Sequence, residues 1–264
     1  MRGNHMEFTE QQMLRYARHI VLPEVGGVGQ RRLLEAKVLL VGIGGLGSPL
    51  LLYLSAAGIG TIGVVDHDRV ELANLHRQIA HPTGNLGTAK TTSGATAAHA
   101  LNPEIEVVTH EVRLAPDNVA SLVAPYDVVA DGSDNFATRD TVHRACLQQG
   151  KPLVSAAVQG FDGQLSTFKA HLGPPHPCYR CLFPDVPPSD LLPSCAEGGV
   201  LGPAAGVVGC LQAVEVIKEV LGLGESLSGT LLLYDALVPD LRRIRLARRT
   251  ECPICAGFGD ADGR

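Results

Sequence analysis

The chain has 264 residues, 45% of them hydrophobic, 19% charged and only 4% aromatic, which is the composition of a folded globular protein and excludes a disordered or fibrous one. Twenty-two Lys and Arg against 27 Asp and Glu leave a net charge of −5, which argues against a broad nucleic-acid-binding surface and confines any phosphate contact to a local site. Met1 to Phe8 shows no secretory signal, and the apolar run Gly198 to Leu211 is too short to span a bilayer, so a cytoplasmic protein with no membrane partner is expected.

In chain order, Thr9 and Gln12 form a capping box ahead of Leu14, Ala17 and Ile20 at helical spacing, which predicts a short helix with Arg15 and Arg18 off its apolar stripe. Pro23 to Gln30 reads as a Gly-rich connection. Lys37 to Gly42 is a short apolar run bounded by glycines, as in a strand buried on both faces of a parallel sheet. A helix over 46–57, a strand over 61–66, a helix over 90–101, strands over 105–110 and 126–131 and a helix over 136–149 follow. That alternation predicts an α/β, Rossmann-like, doubly wound and mostly parallel sheet. Beyond Pro152 the rhythm changes: strands over 153–157 and 163–169 have no helix between them. Pro174 to Pro193 is too Pro-rich for regular structure throughout, a helix covers 204–221, and 230–234 and 241–246 read as late antiparallel strands. A single domain is expected over 1–264, with an N-terminal helix and connection (9–30), a nucleotide-binding core (36–157) and a C-terminal part (158–264).

Gly42-Ile-Gly44-Gly45-Leu-Gly47 matches G-x-G-x-x-G between a predicted strand and helix, where backbone N–H groups and a helix N-terminus can approach phosphate. The alternative is that these glycines only permit tight strand-to-helix packing. Asp66 ends the next strand, where it could bind ribose hydroxyls. Asn74, Arg77 and Lys90 then bring an amide, a guanidinium and an ammonium within seventeen residues, a pattern that suits a triphosphate better than a hydride-transfer site. Asp134 and Asn135 follow the fourth strand at the end where open α/β sheets bind ligands. Asp134 could hold Mg²⁺, and a helix N-cap is the competing reading of the pair.

Seven cysteines without a secretory signal point to metal or thiol chemistry. Cys178 and Cys181 form one C-x-x-C and Cys252 and Cys255 another, four soft ligands of the type tetrahedral Zn²⁺ accepts, with no open position and hence a structural metal. Seventy residues separate the pairs, so the fold must bring them together. Cys146 and Cys210 read as small buried hydrophobes in helices, whereas Cys195 follows the Pro-rich segment on what reads as an exposed stretch suited to a reactive thiol.

Taken together, R-Y-A-R18-H-I, G-x-G-G-L-G-S, V-V-D66-x-D68, N74-L-H-R77-Q, K90, D131-G-S-D134-N, the two C-x-x-C pairs and S194-C195-A-E-G-G-V-L-G-P resemble the MoeB/ThiF family, relatives of the ubiquitin-activating enzymes, from about Gln11 to Cys255. The resemblance implies an ATP-dependent adenylyltransferase acting on the C-terminal Gly-Gly carboxylate of a ubiquitin-like sulfur-carrier protein. In it Gly44 and Gly45 would approach the nucleotide and Asp66 the ribose. Asn74, Arg77 and Lys90 would contact phosphates, Asp134 would position Mg²⁺, Asn135 would belong to the cofactor-binding set, and Cys195 would be the thiol able to bond to the carrier tail. Arg18, which the residues alone place on a solvated helix face, would reach across a homodimer interface into the partner's site. Only nine residues follow Cys255, so sulfur is expected from a separate rhodanese or cysteine desulfurase type donor. Competing readings are adenylation of a small or tRNA-borne carboxylate, an NAD-dependent oxidoreductase, and a non-catalytic binding partner.

Overall fold

A computed structural model describes residues 8–185, 198–238 and 240–259. Among the described residues an eight-stranded sheet is built from β1 (Lys37–Val41), β2 (Thr61–Val65), β3 (Glu106–His110), β4 (Val128–Asp131), β5 (Leu153–Gln159), β6 (Asp162–Phe168), β7 (Thr230–Asp235) and β8 (Asp240–Arg245). Its spatial order is β3-β2-β1-β4-β5-β6-β7-β8, parallel from β3 through β5 and antiparallel from β5 through β8. This is the expected α/β class, a doubly wound parallel half continued by antiparallel late strands.

The helices are α1 (Glu10–Arg15), α2 (Ala17–Ile20), α3 (Gly26–Glu35), α4 (Gly47–Ala57), α5 (Lys90–Leu101), α6 (Val119–Val123), α7 (Phe136–Gln148), α8 (Tyr179–Leu182) and α9 (Gly202–Leu221). Successive side chains of a strand point to opposite faces, and β1 shows the consequence. Val38 and Leu40 join the core that α4, α5 and α9 build with Leu50, Leu54, Ala98, Val208 and Val216, while Leu39 and Val41 join Val119, Val123, Val142 and Phe168 on the face of α6 and α7. A strand buried on both faces has to be apolar throughout, which is why this region is a continuous run in the sequence. The apolar stretch from Gly198 continues into α9, which packs against α4, β5 and β6. No described helix is long and apolar enough to cross a membrane.

Three elements differ from the sequence reading. The Gly-rich stretch from Pro23 is helical from Gly26 onwards, because burial of Leu33 and the bond from Gln30 Nε2 to Ala57 O (2.9 Å) outweigh the poor helix propensity of three glycines. Arg32 at the end of this helix donates to Leu221 O (2.7 Å) and Val220 O (2.9 Å), satisfying carbonyls at the C-terminus of α9. The first helix carries the expected Thr9–Gln12 capping box, but it breaks at Tyr16 and leaves Leu14 75% exposed. Its anchor is Tyr16, whose buried hydroxyl accepts from Asn102 Nδ2 at 2.9 Å. Helix α6 fills the crossover between β3 and β4; five residues are too few to show a helical period.

Candidate nucleotide cleft and cysteine cluster

The strand order reverses between β1 and β4, and the crevice beyond the carboxyl ends of those strands is where open α/β sheets bind ligands. An open cleft lies there. The chain enters it through Gly42, whose φ of 85° is unfavourable for any residue with a Cβ. Gly47 closes the turn at the start of α4, where a Cβ would stand 2.0 Å from Gly42 O. Gly44 and Gly45 lie between them and line the cleft.

Asp66, Arg77, Lys90, Asp134 and Asn135 line the same cleft, so one site brings together residues from four separate segments. The Asp66 carboxylate accepts from Ile43 N (2.8 Å) and Asp68 N (2.9 Å) on different oxygens, and each oxygen keeps a second acceptor position for a hydroxyl. Lys90, 5% exposed at the start of α5, donates to Asp68 Oδ2 at 2.8 Å. Burial works against ionisation of Asp68, but the bond and charge of Lys90 hold its carboxyl below the usual range. Arg77 is held over the cleft by Ala73 O (3.0 Å) and His76 Nε2 (2.9 Å). Asn135 caps α7 by accepting from Thr138 N (2.9 Å) while also lining the cleft, so the N-cap and binding readings of this residue coexist. Asp134 is exposed, with Asn135 Nδ2 donating to it at 3.3 Å.

Asn74 is buried, and its Oδ1 accepts from Gln78 Nε2 (2.8 Å) and Arg77 Nη2 (3.4 Å), both of which line the cleft. Arg18 is exposed on α2 and has no hydrogen bond or ion pair among the described residues. Its neighbours Arg15 and Tyr16 bond Leu101 and Asn102 at the far end of α5, roughly 18 Å of helix away from the cleft end of that helix. Cys195 lies outside the described residues.

Sequence reasoning missed Arg113 and Arg139, both of which line the cleft. Arg139 is 8% exposed on the first turn of α7 and donates from Nε (3.2 Å) and Nη2 (2.5 Å) to Ser133 O, which fixes its guanidinium beside the Asp134 loop. Its position four residues after the N-cap was the available signal.

The four cysteines of the two C-x-x-C pairs meet with their sulfurs all within 4.8 Å of one another. Three contacts measure 3.6 Å (Cys178–Cys252), 3.6 Å (Cys181–Cys255) and 3.8 Å (Cys178–Cys181). Tetrahedral coordination with Zn–S of about 2.3 Å requires sulfurs about 3.8 Å apart, so the quartet could hold a zinc ion with little movement. The Cys181 thiol is pushed down, chiefly by its hydrogen bond with Cys178 and also by Arg249 N–H, while burial pushes the Cys255 thiol up. Arg248 clamps this corner. Its guanidinium donates to Ala170 O (3.1 Å), His176 O (3.2 Å), Phe258 O (2.8 Å) and Cys255 O, tying the tail to the sheet side of the molecule.

Burial lowers the His81 and His110 rings below the ordinary histidine value. Such groups hold a proton less readily folded than unfolded, so the stability linked to them is present above about pH 6.5 and lost as pH falls through that value. The melting temperature should therefore drop between about pH 7.5 and pH 5.5, and a flat profile would contradict the burial of these rings.

A model of the ThiF family matches residues 16–254. The chain belongs to the ThiF family. Within it, the chain is 48% identical over 252 residues to a sulfur carrier protein adenylyltransferase of Thermus thermophilus, covering 95% of this chain and 93% of that protein. It is 52% identical over 252 residues to the adenylyltransferase and sulfurtransferase MOCS3 of Bos taurus, covering 96% of this chain but only 54% of MOCS3. The chain thus spans about half the length of its MOCS3 relatives. Among solved structures, Escherichia coli MccB with ATP superposes with a TM-score of 0.76 at 23% identity, over 86% of this chain and 68% of that one, a likeness of fold.

Proposed function

We propose that this ThiF-family chain is an adenylyltransferase that uses ATP to activate the C-terminal Gly-Gly carboxylate of a ubiquitin-like sulfur-carrier protein. The observation that carries the reading is the convergence of Arg77, Lys90 and Arg139 on the Gly42–Gly47 turn in one cleft. Joining a carboxylate to the α-phosphorus of ATP and expelling pyrophosphate brings anion against anion. Fixed cations in a partly desolvated site make that approach possible and stabilise the charge that develops on the leaving group. No general base is required, because the attacking carboxylate is already ionised at neutral pH.

Asp66 is assigned to the ribose, the amides of Gly44 and Gly45 to phosphate, and Asn74 to holding Arg77 and Gln78 in place. Magnesium bound at Asp134 would neutralise part of the phosphate charge. Zinc at Cys178, Cys181, Cys252 and Cys255 has a structural role. Delivery of sulfur by a separate donor of the rhodanese or cysteine desulfurase type, and Cys195 as the tail-bonding thiol, are carried by resemblance alone. The chain is read as a single domain acting in the cytoplasm.

Arg18 is not among the residues that line its own cleft, and Leu14, Val21 and Val28 of the same N-terminal region stand exposed. A homodimer that buries these side chains would bring Arg18 to the partner's cleft. Light scattering should then report twice 27.8 kDa, and a monomer would leave Arg18 without its role.

The deciding experiment is exchange of labelled pyrophosphate into ATP with candidate carriers, intact or lacking the last Gly. Exchange that requires the intact tail is expected. ATP binding without exchange for any carrier would move the reading to a small or tRNA-borne carboxylate, and NAD binding without ATP binding would overturn adenylation altogether.

A further inference from the structure

Three walls of the cleft meet on one buried side chain that the scheme above does not use. His81 is 4% exposed and follows the segment that carries Arg77 and Gln78. Its Nε2 lies 3.0 Å from the carbonyl of Ile43, inside the Gly-rich turn, and its Nδ1 lies 2.9 Å from Ser93 Oγ, one turn after Lys90 on α5. A carbonyl can only accept, so Nε2 carries the proton and donates to Ile43 O, and Nδ1 accepts from the Ser93 hydroxyl. Ser93 Oγ in turn accepts from Asn85 Nδ2 at 2.9 Å. Both ring nitrogens are therefore used. The Ile43 residue is gripped from two sides, since its N–H donates to Asp66 Oδ2 at 2.8 Å while its carbonyl accepts from His81.

We propose that His81 is a positioning residue for the nucleotide, fixing the Gly42–Gly47 turn in register with the segment that carries Arg77 and the helix that carries Lys90. Glycines make the turn able to approach phosphate and also leave it conformationally free, so an outside constraint is needed if amides and cations are to meet the same phosphates. The imidazole supplies that constraint from the side away from the ligand. A buried histidine that merely fills space would make the same contacts without governing the turn, and the two roles separate on which nitrogen is kept.

Glutamine places its amide nitrogen near the position of Nε2 and can still donate to Ile43 O; asparagine places its amide near Nδ1 and can keep only the Ser93 contact. The assignment rests on the cleft being an ATP site, so the test has two readouts: affinity for ATP, and amide hydrogen exchange of residues 42–47 in the nucleotide-free protein. His81→Asn, which leaves a buried carbonyl without its donor, is expected to weaken ATP binding about ten-fold with a smaller change in kcat, and to speed exchange in the turn. His81→Gln should restore both readouts, with melting curves verifying that both variants are folded. Equal behaviour of the two variants, or exchange in the turn unchanged by His81→Asn, would overturn the proposal. If the wild type bound no ATP, the proposed function would fall while exchange in the turn still decided the role of His81.

Discussion

Lys90→Ala is expected to lower carrier-dependent ATP–pyrophosphate exchange by about 10²–10³-fold, the scale seen when a fixed donor is removed from a site of developing negative charge. The ammonium is buried at the start of α5 and lines the cleft, its hydrocarbon stem excluded from solvent, so water cannot substitute for it at the same position. Its structural partner is Asp68, whose side chain is 53% exposed. Losing Lys90 therefore leaves a carboxylate that water can solvate, not an isolated buried charge, and the melting temperature should change little. Arg77→Ala should behave likewise, because its anchors are a backbone carbonyl, His76 at the rim and Asn74 Oδ1, which keeps Gln78 Nε2 as a donor when the guanidinium is lost. The separation between lost exchange and retained stability is the critical result. Wild-type exchange in either variant would remove that residue from the site, and a collapse of stability would reassign it to the fold.

The parts of this site legible in the sequence were those fixed by local rules. Gly42 and Gly47 stand where a positive φ and a close backbone approach admit no side chain, and Asp66 ends a strand recognisable from its apolar run. The cysteines were legible across seventy residues because ligand number and softness define a tetrahedral site whatever the chain does between them. Where tertiary contacts decide, the sequence was silent. Helix α3 forms because Leu33 and Gln30 find buried partners, which no count of glycines reveals. His81 owes its place to Ile43 O, a contact that exists only after the sheet has assembled, whereas Arg139 bonds Ser133 O locally and only its place in the cleft depends on the fold. Asn74 lies buried with its Oδ1 accepting from Arg77 and Gln78, two residues of the lining, an arrangement that a motif does not encode. Nothing in the sequence singles out Arg248, because its clamp depends on the carbonyls of Ala170 and His176, which the fold brings from far along the chain, together with those of Cys255 and Phe258 in the tail.

Stripping metal from the cysteine quartet, or replacing Cys252 with serine, is expected to lower the melting temperature by about 10 °C or more while leaving ATP binding intact at low temperature. The size follows from the linkage of metal binding to folding. Structural zinc contributes about 10–16 kcal/mol of apparent binding energy in small zinc-finger peptides, and if only about 4 kcal/mol of it is linked to folding here, the shift at about 2–4 °C per kcal/mol is already about 8–16 °C. The location explains why the effects should part. Cys178, Cys252 and Cys255 are fully buried with Leu147, at the C-terminal end of α7, whereas Asp134, Asn135 and Arg139 line the cleft at its N-terminal end. Without the ion, four sulfurs are packed against each other with only weak S–H bonds between them, and the Arg248 clamp and the packing of Ile254 and Phe258 must hold the tail beside Ala170 and His176. The tail should then become the first protease-sensitive segment, ahead of any loss from the nucleotide half. Elemental analysis should find one zinc per chain; protein free of zinc that melts at the same temperature with and without a chelator would show that the quartet needs no metal.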